Sequence, residues 1–385
     1  MSLIAIYGAN GTLGRRVSRD LVAGGADLRL AGRNATKLEA AAVDLAGETA
    51  WRGTWTTAAL DDHAGLRRVL EGCRVVVNAS PTAAGGERLI DAAIGEGVHY
   101  IDAAGSQPYI HRVFEHHGPL AAQRGTALAP AFGFDYALGD CLAHLVAGEP
   151  AREVTIGYAI DGSDVSSNSL QFAAETAGGG EWFYEAGRWT PARLDIYRCT
   201  IDFPEPFGRQ SMARYAAGEV ITVPRHVQTD RVTTLITTGS LVPHPALIPF
   251  FPYLRPIVAL ARRTPARHLL SLAVKLRRPP APAASSPDDP PPQPPRFAVV
   301  VEIEGRSGVR HQGIVQGGDF HEVTTVTLAL GARALAAPTF EGRGALAPSA
   351  IVEPARLFEA LARLNVTCRV TRIDADGPTE AGLGS

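Results

Sequence analysis

The sequence predicts an α/β protein: a doubly wound parallel sheet at the N-terminus, then an α+β second domain built on a mostly antiparallel sheet. Three observations carry this reading. Over residues 1–150, short β-branched runs alternate with Ala/Leu-rich stretches of helical length, the pattern of right-handed βαβ crossovers. The runs Leu3-Ile-Ala-Ile and Val75-Val-Val are apolar throughout, as strands covered on both faces are. After about residue 150 polar and apolar residues alternate instead, the mark of antiparallel strands with one covered face.

Taken in order, Leu3–Tyr7 reads as a strand, Leu13–Ala23 as a helix, Leu28–Ala31 as a strand and Ala35–Ala46 as a helix. A weaker strand near Trp51–Trp55 precedes a helix over Asp62–Glu71. Strand Arg74–Asn78, helix Gly86–Glu96, strand His99–Asp102, helix Tyr109–Arg124 and strand Ala127–Pro130 complete the first domain. The alternating segments beyond it are Glu153–Ile160, Val232–Thr238, Phe297–Glu304 and Val309–Val315. Residues 277–296 are dominated by proline, which predicts an extended, mobile connector. Phe320–Ala336 should be helical with Asp319 as its N-cap. A helix over Pro354–Leu364 should lead into a strand, Val366–Ile373, and the tail from Asp376 should be disordered. The expected organisation is 1–150, the doubly wound domain; 151–318, a substrate or oligomerisation domain; and 319–375, helices and a strand returning to the first domain.

Composition removes several function classes. The chain has 385 residues, 45% hydrophobic and 20% charged, so it is neither disordered nor collagen-like. Thirty-seven basic residues against 39 acidic ones leave no positive excess for a phosphate backbone, and nucleic acid is not an expected partner. The four cysteines are far apart and form no C-x-x-C pair, so neither a zinc ribbon nor a disulfide scaffold is indicated. The N-terminus lacks the features of a signal peptide. The apolar tract Leu247–Ala261 is broken by Pro249, Pro252, Arg255 and Pro256, short of the roughly 20 residues a spanning helix needs. A soluble, cytoplasmic protein acting on a small molecule is expected.

Directly after the first strand stands Gly8-Ala-Asn10-Gly11-Thr12-Leu13-Gly14, a G-x-x-G-x-x-G turn opening a helix. Glycine is needed where the chain turns tightly and where backbone approaches a pyrophosphate, and the helix start behind it offers free N–H groups. Glycine also marks ordinary strand–helix turns, but the strand before and the helix after favour a Rossmann-type dinucleotide site. An NAD site would place a carboxylate at the end of the second strand. The chain there reads Ala31-Gly-Arg33-Asn34-Ala-Thr-Lys37, with no carboxylate between Asp27 and Glu39. Arg33 offers a fork for a 2′-phosphate and Lys37 a second positive charge, so NADP(H) is the expected cofactor; a solvated Arg beside a helix start is the plainer alternative.

The blocks Gly8–Gly14, Ala31-Gly-Arg33, Val75-Val-Val-Asn78-Ala79, His99-Tyr-Ile-Asp102-Ala-Ala-Gly105 and Pro130-Ala-Phe132-Gly133-Phe134-Asp135 with Asp140 resemble the saccharopine dehydrogenase-like NADP-binding oxidoreductases, a family that includes trans-acting enoyl reductases. The resemblance covers residues 1–147 well and 297–364 loosely. It implies that Phe132, Gly133, Phe134 and Asp135 lie near the nicotinamide. Two departures stand close by: Ser106 where the family usually has Glu, and Tyr136-Ala-Leu-Gly139 where it usually has Ser-Val-Pro-Ser. Related proteins are often dimers, so a homodimer is expected on that ground.

In an open α/β sheet ligands sit outside the carboxyl ends of the strands. That rule adds Asn78, Ala79, Ser80, Pro81, Asp102 and Gly105 to the expected cofactor contacts. Asp102 either anchors a strand end or faces the substrate. Asp135 and Tyr136 are the acid/base candidates by position, a carboxylate beside a hydroxyl able to relay a proton; Asp135 reads equally as a cap for the helix that follows. No Tyr-x-x-x-Lys and no Gly-x-Ser-x-Gly occurs. His111, His116 and His117 are spaced poorly for a metal pair, and no metal is expected. Glu181-Trp-Phe-Tyr184, Trp189 and Phe250-Phe-Pro-Tyr253 read as core, as the lining of an apolar cavity, or as an oligomer interface. The arginine-bearing stretch Leu241–Leu276 could rest on a membrane surface. The expected activity is an NADP(H)-dependent reductase delivering hydride to a C=C, C=N or C=O bond of a biosynthetic intermediate. A saccharopine-type C–N dehydrogenase acting on an amino acid and a non-catalytic NADP-binding sensor or scaffold are the rivals.

Overall fold

The computed structural model describes residues 2–81, 85–161, 181–192, 199–240, 296–374 and 377–381. The Pro-rich connector up to residue 295, the Phe250–Tyr253 cluster and the Leu241–Leu276 stretch lie outside the described residues.

The first sheet is built from β1 (Leu3–Tyr7), β2 (Asp27–Gly32), β3 (Thr54–Thr57), β4 (Cys73–Asn78), β5 (His99–Asp102) and β6 (Ala127–Ala129). Between them run α1 (Thr12–Ala23), α2 (Ala35–Glu48), α3 (His63–Leu70), α4 (Gly86–Glu96), α5 (Gln107–Arg112) and α6 (Gly118–Gln123), with α7 (Phe134–Val146) following β6. All pairs are parallel, and Ile4, Ile6, Val75, Val76 and Val77 are fully covered, as their continuous apolar character requires. The helix expected over Tyr109–Arg124 is interrupted: between α5 and α6, Val113–His117 forms a π turn in which the Gly118 amide reaches back to the Val113 carbonyl. Pro119 has no N–H for the i−4 carbonyl, so the regular ladder cannot run through this point.

The second sheet carries β7 (Ala151–Asp161), the hairpin β8 (Trp182–Glu185) and β9 (Arg188–Pro191), β10 (Cys199–Asp202), β11 (Arg209–Arg214), β12 (Arg231–Thr237), β13 (Arg296–Gly305) and β14 (Arg310–Gly317). A short helix, α8 (Glu219–Thr222), precedes β12. The main path runs β10-β11-β12-β7-β13-β14 and is antiparallel except for the parallel pair β12–β7.

After β14 come α9 (Phe320–Ala336), β15 (Gly344–Ala345), α10 (Pro354–Ala362), β16 (Thr367–Asp374) and β17 (Gly377–Ala381). Asp319 caps α9, accepting from the amides of His321 and Glu322. This final segment divides. Helix α9 packs on α1, β4 and β5, and β15 adds a seventh strand beside β6, both in the first domain. The strand expected to return with them does not: β16 pairs with β14 in the second sheet. The expectation of a disordered tail is corrected for residues 377–381, which pair with β16; residues 376 and 382–385 lie outside the described residues. One continuous body of buried side chains runs from Ile4 through Phe134 to Val299 and Val370, joining the sheets. Among the described residues, no helix is long and apolar enough to cross a membrane.

Candidate active site

The glycine turn has the shape a pyrophosphate needs. Gly8 takes φ +84°, open to glycine at little cost, and its amide donates to the Ala31 carbonyl at 2.8 Å. A side chain at Gly14 would lie 2.8 Å from the Ala9 Cα and closer still to the Gly8 carbonyl oxygen, so only glycine lets α1 start this close to β1. Gly11 is the N-cap and, among the described residues, no side chain bonds the first-turn amides of Thr12, Leu13 and Gly14, which leaves this positive helix end to a phosphate. Asn10 turns its side-chain oxygen toward Gly32, and its carbonyl accepts from Arg15.

At the end of β2, Arg33 and Lys37 are exposed, and neither forms an ion pair among the described residues. Asn34 acts locally. Its side chain accepts from the Lys37 amide at 2.9 Å and caps α2, fixing where Lys37 leaves the helix. Burial pushes the Tyr7 phenol up, and the nearby Arg33 charge works against that rise.

Between β4 and β5 the polar groups are spent on holding loops. The buried Asn78 donates to the Tyr100 hydroxyl at 2.9 Å and accepts from the Ser80 amide and hydroxyl, which shapes the Asn78-Ala79-Ser80-Pro81 turn against Gly8. Asp102 is fully buried. It accepts from the hydroxyls of Tyr100 and Tyr109, both at 2.7 Å, and from the amides of Ala104 and Ala131. Burial nevertheless holds its carboxyl above the usual range, the four donors opposing the rise. The bond to the Ala131 amide holds in place a non-glycine residue at φ +68°, where the chain leaves β6 for α7. Asp102 thus shapes the strand ends, its oxygens committed to the protein.

The same loop brings the acid/base candidates together. The Phe132 amide bonds the Asp102 carbonyl, Gly133 is the N-cap of α7, and Phe134 donates from its amide to Thr324 of α9. Asp135 falls in the first turn of α7, beside the positive helix end. Tyr136 is buried and donates to the Gly105 carbonyl at 2.5 Å. Tyr215, from the second domain, links the two: its hydroxyl donates to Asp135 Oδ2 at 3.1 Å and lies 3.4 Å from the Tyr136 hydroxyl. Beside it, the buried Tyr158 donates to Glu219 Oε1, while Glu219 Oε2 is also buried and has no partner among the described residues. Burial drives the Glu219 carboxyl well above its ordinary value, the Tyr158 bond opposing and the charges of Asp135 and Asp140 adding to the rise. Burial likewise pushes the phenols of Tyr158 and Tyr215 well up.

Tyr215, Tyr158 and Glu219 were invisible in the sequence. They stand 79, 22 and 83 positions from Tyr136, just after β11, on β7 and on a four-residue helix, without a motif. Gly139 faces Glu219 and the Tyr158 hydroxyl, but a single glycine in a helix does not say what it faces. Of the expected aromatic cluster, Phe183 and Tyr184 are buried and Trp182 stacks on His111 at 4.2 Å between ring centres. Among the described residues, no group of three or more His, Cys, Asp or Glu is gathered as a metal site.

Residues 4–127 match the family described as saccharopine dehydrogenase NADP binding domain. Over 97% of this chain and 100% of the other, the fold is similar to apo saccharopine dehydrogenase (L-Glu forming) from Saccharomyces cerevisiae, at TM-score 0.61 and 14% identity. A short-chain type dehydrogenase/reductase from Mycobacterium ulcerans is 14% identical over 33% of this chain and 66% of its own, at TM-score 0.29. A UDP-glucose-4-epimerase from Stenotrophomonas maltophila is 12% identical over 28% and 38%, at TM-score 0.26. No curated protein sequence matches the chain.

Proposed function

We propose that this chain, an oxidoreductase whose residues 4–127 form a saccharopine dehydrogenase-like NADP-binding domain, is an NADPH-dependent reductase of a C=C, C=N or C=O bond in a biosynthetic intermediate. One observation carries the reading: a hydrogen-bonded string, Asp135–Tyr215–Tyr136–Gly105, is assembled from both domains at the carboxyl end of the first sheet.

Bound NADPH supplies a hydride; this chain supplies its cradle and the proton. The amides of Thr12, Leu13 and Gly14 would hold the pyrophosphate, and Arg33 with Lys37 would take the 2′-phosphate, which would set NADPH above NADH. Tyr136 has its own proton committed to the Gly105 carbonyl, so it acts as a positioning residue that orients Tyr215. The proton leaves the Tyr215 oxygen for the substrate, and half-buried Asp135, the acceptor of that hydroxyl, relays its replacement from solvent. Burial raises the Glu219 carboxyl, which disfavours a second negative charge in the cluster.

Calorimetric titration with NADPH, NADP⁺, NADH and NAD⁺ tests the cofactor assignment. Tight NADPH binding, weak NADH binding and loss of that gap in Arg33→Ala are expected. Absence of any nucleotide binding would end the reductase reading. Screening enones, imines and carbonyls for NADPH consumption, with Tyr215→Phe as the dead control, then identifies the bond reduced.

A further inference from the structure

At the other end of α7 two histidines meet. His226, which closes the turn after α8, donates from Nε2 to Asp140 Oδ1 at 2.8 Å. Asp140 is fully buried and accepts the Ser349 amide on its second oxygen. With Nε2 carrying the proton, the Nδ1 of His226 presents a lone pair. That lone pair faces the Nδ1 of His144 at 3.4 Å, with the ring centres 5.3 Å apart.

The geometry points to a divalent transition-metal site, for Zn²⁺, Ni²⁺ or Cu²⁺, held by the Nδ1 atoms of His144 and His226. Zinc–imidazole bonds of about 2.0–2.1 Å at a tetrahedral angle put two nitrogens about 3.3 Å apart, the separation found here. A buried carboxylate behind one ligating histidine is the usual device for fixing tautomer and ring direction, and Asp140 stands in that place. His144 is exposed, which leaves the remaining positions to water. The site joins α7 to the segment leading into β12, and a bound ion would fasten the two domains at this edge. The sequence hid it: the two histidines are 82 positions apart.

The test is titration of the whole chain with ZnCl₂, followed by calorimetry and by the histidine ring ¹⁵N signals. One equivalent should bind and move the Nδ1 signals of His144 and His226 together. His144→Ala, a surface change checked by an unaltered unfolding temperature without metal, should lose that equivalent or weaken it at least as much as loss of an outer-shell partner does, about ten- to hundredfold. Copper should bind more tightly than nickel or zinc. A 3.4 Å contact that is only a shared N–H···N bond gives no saturable binding, or binding that His144→Ala leaves unchanged. Either result overturns the proposal.

Discussion

Gly139 lies flat against Glu219. A side chain on this glycine would stand 2.5 Å from the Tyr158 hydroxyl oxygen and closer still to Glu219 Oε1. The absence of a Cβ in the middle of α7 is what lets an acid from the second domain enter the wall of the first. Gly139→Ala should destabilise the protein by about 1–3 kcal/mol, the range for overpacking a filled core. Urea unfolding at neutral pH measures it, and an unchanged midpoint would mean that the acid simply moves aside.

Glu219 also gives stability a pH slope. Its carboxyl is raised in the folded chain above the ordinary 4.5, so folding binds a proton more tightly. That contribution is complete below pH 4.5 and is lost as pH rises through the raised value. Glu219→Gln keeps an acceptor for Tyr158 without the titration. Relative to wild type, the variant should gain unfolding temperature as pH rises above 4.5; parallel curves would show that folding leaves the Glu219 carboxyl where it was.

Asp140 slopes the other way. Although burial opposes it, the His226 contact and its hydrogen bonds hold its carboxyl below 3.8, so its contribution is present above that pH and is lost as pH falls toward the lowered value. Asp140→Ala strands His226 and the Ser349 amide and should cost about 3–5 kcal/mol, as breaking a buried pair does. Thermal unfolding of the variant at pH 7 is the check.

At the cofactor end, Arg33→Ala removes a charge-assisted fork worth about 1.5–3 kcal/mol. NADPH affinity should fall about ten- to hundredfold while NADH affinity stays put. Equal losses for both would place Arg33 on the pyrophosphate or the adenine.

The two tyrosines separate by role. Tyr215→Phe should lower turnover by about 10²–10⁴-fold with NADPH affinity intact. Tyr136→Phe, which loses the bond to Gly105, should lower turnover less and shift the pH profile. If the second variant were the slower of the two, the proton would come from Tyr136.

The first domain was legible because its signals are local. Gly8, Gly11 and Gly14 bend one turn, the run Val75–Val77 is covered on both faces, and Asp319 caps α9 where its position said it would. Side-chain roles were less legible. Asp102 and Asn78 stand where a ligand passes, yet what they bind is decided by Tyr100 and Tyr109, whose hydroxyls reach them only in the folded chain. Tyr215 and Glu219 left no pattern, because they stand after β11 and on the short α8, and only long-range contacts bring them to the site. β15 was missed for its length: two residues carry no periodicity, and it exists because Gly118 lets it approach α6.

The divided C-terminal segment bears on how the molecule can come apart. Helix α9 and β15 complete the first sheet, β16 then extends the second, and α7 with Tyr215 stitches the two. Neither unit is a contiguous stretch, so a fragment ending at residue 150 would expose the face that α9 covers and the β6 edge that β15 occupies. Synthesis must reach the last strands before either sheet is whole, and melting should then be a single cooperative event shared by both halves.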